Sequence, residues 1–272
     1  MAENKTVLAI GCHPDDVEFM MAGTLSLLAK RGWRVHILTV ANGSCGTAQY
    51  DTETIVRMRR EESERAAKVL GATYHPGLVP DLEVFYDAPT LRKVSAVVRD
   101  VKPAIVLTHP TTDYMEDHQN TGRLAVTACF SRGMKNWFTD PPLPTTSQDV
   151  MVYHANPHSN RDGMRRLVVP ELYINITSEV EVKEDMLRCH ESQKHWLDVS
   201  QGMDSYLHTM REICADIAKM SGRKGWKYAE GFRRHSHLGF SAAESDPLAE
   251  ALKGCVKVNK KYRKALENDA LL

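Results

Sequence analysis

Blocks of apolar residues alternate with amphipathic stretches along the first half of the chain, and the period switches each time. Residues 7–11 (VLAIG) form a short, uninterrupted apolar run of the kind a buried strand carries. Residues 18–30 then place Phe19, Met20, Ala22, Leu25, Leu28 and Ala29 at helical spacing, ending near Gly32. Residues 35–40 read as a second strand, 42–46 (NGSCG) as a turn, and 54–70 as a helix stopped by Gly71. A short strand at 72–75, a helix at 89–101, a strand at 104–109 (AIVLTH) and a helix at 118–130 continue the series, and 140–145 is a proline-rich loop. The second half is less regular. It offers strands at 151–153 and 172–176, helices at 179–196 and 203–221, and an amphipathic tail over 247–272, where Leu248, Leu252 and Val256 oppose Lys257, Lys260, Lys261, Arg263 and Lys264.

The β-α-β-α order predicts an α/β fold, a Rossmann-like, mainly parallel sheet with helices on both faces and a helical C-terminal extension. Continuously apolar VLAI and AIVL suit strands covered on both sides. No linker or repeat divides the chain, so one domain is expected over residues 1–272, with the sheet core in 1–150 and additional strands and C-terminal helices in 151–272. The tail's apolar stripe offers a contact for a second copy of the chain.

Composition narrows the functional classes. The 35 basic and 35 acidic residues cancel, which argues against broad nucleic-acid binding and leaves room only for a local patch. The six cysteines are scattered without C-x-x-C spacing, so reduced thiols and a cytoplasmic location are expected. The apolar run before Cys12 is shorter than the ~7–15 residues of a signal h-region. No run approaches the ~18 residues of a membrane span.

Chemistry concentrates where strands end. His13-Pro14-Asp15-Asp16 follows the first strand, and residues 109–118 follow the fourth. In open α/β sheets ligands sit beyond the carboxyl ends of strands, at the switch point. An imidazole and two carboxylates within four residues suit a metal ion with a general base beside it. His13 and Asp16 supply two ligands from one loop stiffened by Pro14, residues 113–118 contain candidates for a third, and Asp15 remains free to take a proton.

HPDDVE with the glycine after it, the AIVLTHP strand end and Asp117-His118 together resemble the LmbE/PIG-L-like metal-dependent N-deacetylases. The resemblance is close over the first half and looser at 189–193 and 228–234 (YAEGFRR). It implies hydrolysis of the acetamide of an N-acetylglucosamine-type substrate, a sugar conjugate or glycoside. It also implies His13, Asp16 and His118 as ligands of Zn2+, with Fe2+ as the alternative, and Asp15 as general base. Arg59 looks like the family's substrate-contacting arginine, and Glu18 matches a carboxylate that shapes the loop. The chain departs from the family at Met115, where many members carry a histidine that stabilises the oxyanion. A methionine cannot donate, which leaves either the metal alone to polarise the carbonyl or Tyr114, His109, His235 or His237 as the donor.

Plainer readings stand beside these. His13, Asp15 and Asp16 also suit a helix N-cap. Asp117 suits orienting a ligand, and Asp113 suits a loop or a substrate contact. Arg57, Arg59 and Arg60 among Glu61, Glu62 and Glu64 suit a solvated helix face. Trp33, Trp196 and Trp226 read as packing, and His154, His158, His190 and His195 as surface or core histidines. Rival functions are a two-histidine, one-carboxylate iron oxygenase, a nucleotide-binding module, for which no G-x-G-x-x-G is present, and a weakly catalytic metal-binding member of the same family.

Overall fold

The computed structural model describes residues 4–193, 196 and 206–267. Its frame is an eight-stranded sheet of order β3-β2-β1-β4-β5-β7-β6-β8. The strands are β1 (Thr6–Gly11), β2 (Arg34–Thr39), β3 (Thr73–His75), β4 (Ile105–Thr108), β5 (Met151–Ala155), β6 (Leu172–Asn175), β7 (Ala229–Arg234) and β8 (Val256–Val258). The ladders from β3 to β5 are parallel, and those joining β7, β6 and β8 are antiparallel. The mainly parallel part is the predicted one. The second half extends the same sheet.

Helices α1 (Asp16–Met20), α2 (Ala22–Lys30), α3 (Thr52–Val69), α4 (Ala88–Val101), α5 (Glu116–Ser131), α6 (Val180–Arg188) and α7 (Tyr206–Ser221) cover the sheet, and α8 (Pro247–Ala251) and α9 (Lys260–Glu267) flank β8. Side chains alternate across a strand, and on β1 both sets are buried. Val7 and Ala9 join the core under α1, α2, α6 and α7, whereas Leu8 and Ile10 join the core under α4 and α5.

Two expectations change. The helix expected over 18–30 is two helices separated at Met21. The Glu230 carboxylate on β7 accepts from the Gly23 and Thr24 amides at 2.9 and 2.7 Å, so a remote strand satisfies the start of α2. The tail is not one amphipathic helix. The chain turns after α8, Val256–Val258 pairs with β6, and only then does α9 begin. Leu248 of α8 and Leu252 just after it are core residues, while Val256 is in the strand. His195, Met203 and the segment after residue 267 lie outside the described residues.

Candidate active site

β1 has β2 on one side and β4 on the other, so strand order reverses between β1 and β4 and opens a crevice at their carboxyl ends. His13 to Asp16 leave β1 there, and His109 leaves β4. Residues from these two tips line a cavity of about 260 Å³ together with Phe19, Leu82, Tyr114, His118, His158, Gln193 and Trp196.

Asp16 is the hub. Its Oδ2 accepts from the His13 amide at 2.7 Å and lies 3.4 Å from His13 Nδ1, 3.3 Å from His109 Nε2 and 3.4 Å from His118 Nε2. Among the described residues, two sets of ligating atoms lie close enough to hold a metal, Asp16–His109–His118 and Cys12–His13–Asp16. The remaining hydrogen bonds separate their members. His118 Nδ1 lies 3.1 Å from Asp113 Oδ1, and His13 Nε2 lies 3.3 Å from Asp117 Oδ2. A carboxylate behind each ring fixes its orientation and turns the other nitrogen toward Asp16. His109 differs, because its Nε2 accepts from the Cys12 amide at 2.9 Å. Its lone pair is already used. Neither set contains both His13 and His118, but each ring turns a nitrogen to the same Asp16 oxygen, and imidazole and carboxylate are donors of the kind that divalent cations of the zinc class take.

The charges agree with this geometry. Burial pushes the Asp16 carboxyl up, yet the His118 and His109 imidazoles outweigh it and hold the group well below its usual range. Burial disfavours imidazolium at His118, but Asp16 and Asp113 lift it to about 10. His13 is also raised, by Cys12, Asp117 and Asp16 against its burial. Burial and His118 lower His109.

Asp15 faces elsewhere. It sits at φ 106° before α1, an uncommon conformation for a residue with a side chain. Its Oδ2 accepts from the Tyr206 hydroxyl at 2.5 Å, and Arg59 lies 3.6 Å from Oδ1. Burial raises its pKa to about 6, with Arg59 opposing the shift. The result is a separate carboxylate with appreciable proton affinity at the edge of the cluster.

The other sequence candidates fall into place around these. Arg57 and Arg60 form the solvated i,i+4 pairs with Glu61 and Glu64, whereas Arg59 is buried and donates to the Pro14 carbonyl at 2.5 Å. Gly43 and Gly46 let its guanidinium in, since a Cβ at either would stand 2.6 or 2.5 Å from an Arg59 atom. The Asp113 side chain is fully buried behind His118 and also accepts from the Met115 amide. Tyr114 stands edge-on to His118 at the mouth, 53% exposed. Asp117 accepts from Leu82 N as well as facing His13. Glu18 is buried 3.5 Å from His190. Of the proposed oxyanion donors, Tyr114 and His109 line the cavity. His235 does not; it meets His154, which donates to the His109 carbonyl from behind.

Tyr206 and Asp81 escaped sequence reasoning, and His158 was read only as a surface or core histidine. Tyr206 arrives from α7, His158 packs edge-on to Phe19 in the cavity wall, and Asp81 pins the Gly43 and Cys45 amides at 2.6 and 2.9 Å. Trp196, read as packing, lines the cavity.

The profile of the PIG-L family, GlcNAc-PI de-N-acetylase, matches residues 8–129. Diacetylchitobiose deacetylase of Thermococcus kodakarensis is 31% identical over 84% of this chain and 82% of its own. 4-Oxalmesaconate hydratase of Pseudomonas putida is 28% identical over 70% of this chain and 75% of its own. Among solved structures, the N,N'-diacetylchitobiose deacetylase of Pyrococcus horikoshii superposes with a TM-score of 0.72 at 23% identity, covering 90% of this chain and 88% of that one. At that identity the superposition speaks to fold alone. The profile match across both strand tips and the extended identity to the Thermococcus enzyme show that this chain belongs to the PIG-L/LmbE family of N-deacetylases.

Proposed function

We propose that the protein is a metal-dependent hydrolase that removes the acetyl group from an N-acetylglucosamine-type substrate, a sugar conjugate or glycoside. The observation that carries this reading is the division of labour between adjacent carboxylates. Asp16 gathers the two carboxylate-backed imidazoles, and Asp15 stands apart on Tyr206 and Arg59. His13, Asp16 and His118 hold the ion, Zn2+ in this reading, with Fe2+ accepted by the same donors. Bound there, the cation supplies Lewis acidity, which acidifies water and polarises the acetyl carbonyl.

The chain's own groups do the rest. Asp15 takes a proton from the attacking water as the new C–O bond forms, then delivers one to the nitrogen as the C–N bond breaks, so acetate and an amine leave. Tyr206 and Arg59 keep that carboxylate aimed. Tyr114, a phenol at the cavity mouth edge-on to His118, is the donor proposed to replace the missing histidine at Met115. The cavity of about 260 Å³ is just below the ~300–1,000 Å³ of drug-sized sites, which suits one sugar ring. The scattered cysteines support the cytoplasmic location we propose.

The test is acetate release from a panel of N-acetylglucosamine conjugates by zinc-loaded and metal-stripped protein, with oxygen consumption followed in parallel. Metal-dependent acetate release without oxygen uptake is expected. Oxygen uptake without acetate would support the iron-oxygenase alternative instead.

A further inference from the structure

Beyond the loop that carries Asp113 lies a second, larger concavity. This groove of about 1030 Å³ is walled by residues 166–169, the end of α7, Arg233 of β7, and the segment from β8 into α9. Six of its lining side chains are cations (Arg166, Arg223, Arg233, Lys257, Lys260 and Lys261) and one, Asp162, is a carboxylate. Asp162 Oδ1 is already engaged by the Met164 and Arg166 amides. Glu171 and Asp246, acids on neighbouring elements, both pair with Arg263. Lys257 donates to the Ser221 carbonyl, and Arg233 donates to Val169 O while lying over the Tyr262 ring. None of the six pairs with a carboxylate among the described residues. In a chain whose charges cancel, this is a marked local excess.

The placement of two of these cations strengthens the point. Lys260 and Lys261 sit in the first turn of α9, which has no acidic residue. A helix macrodipole disfavours cations there and favours an anion. Repulsion among the six and the helix end's positive potential are both relieved by the same event, arrival of a multiply charged anion.

We propose that this groove binds a small molecule carrying two or more phosphate groups. Its concave form and volume are those of a ligand site rather than a flat polymer track. The arginines offer forked donors matched to phosphate oxygens, and the half-buried Tyr262 ring lines the groove beside the ligand's organic part. The site is separate from the acetyl chemistry, yet shares a wall with it. Thr112 lines the groove, Tyr114 lines the catalytic cavity, and Asp113 between them holds His118. Gly163 seats the Arg166 loop against this wall, where a Cβ would come within 3.0 Å of the Asp113 carbonyl.

The test is isothermal titration of the full zinc-loaded chain with fructose 1,6-bisphosphate, with fructose as the uncharged control. Saturable binding of the bisphosphate alone is expected, weakening several-fold between 50 and 200 mM salt as ~10 Å screening lengths shorten. The double variant Lys260→Glu/Lys261→Glu should weaken binding at least tenfold. Arg166→Glu, on a different segment, should also weaken it. These exposed side chains pair with no carboxylate among the described residues, and unchanged melting curves check that the variants fold. His118→Ala should leave bisphosphate affinity unchanged. No saturable binding, parental affinity retained in both charge-reversed proteins, or loss of binding in His118→Ala alone would each overturn the proposal, the last by placing the bisphosphate at the metal cluster. Because the readout is binding, failure here leaves the deacetylase reading standing, and the reverse holds too.

Discussion

Replacing Tyr206 with Phe deletes one oxygen and keeps the ring, so it isolates what the phenol does for Asp15. The hydroxyl donates to Asp15 Oδ2 at 2.5 Å between two buried residues. The ring packs edge-on to Phe19 with centroids 4.9 Å apart, a contact that Phe preserves. A hydrogen bond to a charged group contributes ~1.5–3 kcal/mol, or about one to two pKa units. Burial raises the Asp15 pKa to about 6 and the Tyr206 donation lowers it, so deleting the donor moves it further up. The ionised fraction at pH 7 then falls about two- to tenfold, and the deficit grows at lower pH and closes at alkaline pH. The assay is the pH–rate profile of acetate release, with zinc content measured alongside. The acid limb should move to higher pH at constant metal content. A profile superimposable on that of the parent would refute the link between Tyr206 and the base. So would a loss of zinc, which would show that the phenol acts through the ligand cluster.

Asp113→Ala should weaken zinc retention ~10–100-fold in chelator competition, because His118 loses the carboxylate behind it; unchanged retention contradicts that role. Lys183→Met leaves Glu230 buried without its cation, 2.5 Å away in the parent, and should cost ~3–5 kcal/mol in urea unfolding, whereas a cost under ~1 kcal/mol would mean that the α2 amides alone satisfy Glu230. Gly43→Ala forces a Cβ against Arg59 at φ 82° and should cost ~1–3 kcal/mol of stability, with turnover falling as Arg59 shifts off Asp15; a neutral variant contradicts the packing argument.

The half of the fold made of parallel strands was legible because burial on both faces removes any need for polar positions. VLAI and AIVL announce themselves, and so do the charges stacked at their ends. β7 was not legible. Its sequence AEGFRR carries charges for private reasons, with Glu230 holding the start of α2 and Lys183. Such residues disguise a strand whose central positions are buried. The tail misled through coincidence, since Leu248, Leu252 and Val256 keep helical spacing across a turn and into another strand. At the site, the loop after β1 and the Asp117-His118 pair were visible as local clusters. Tyr206 was not, because it lies 191 residues from Asp15 and nothing near it in sequence marks a tyrosine as a carboxylate's partner. Asp113 and Asp117 looked alike as acids near a histidine, and only the fold shows that each stands behind a different imidazole.

The central claim is that one cation is gripped by residues from the ends of β1 and β4, with Asp15 left out of its coordination. Anomalous diffraction from zinc-loaded crystals, collected on both sides of the zinc absorption edge, tests it most directly. The account predicts one strong peak ~2.0–2.2 Å from His13 Nδ1, Asp16 and His118 Nε2. A peak coordinated by Cys12, His109 or Asp15 in place of one of these, or no peak at the crevice, would contradict it.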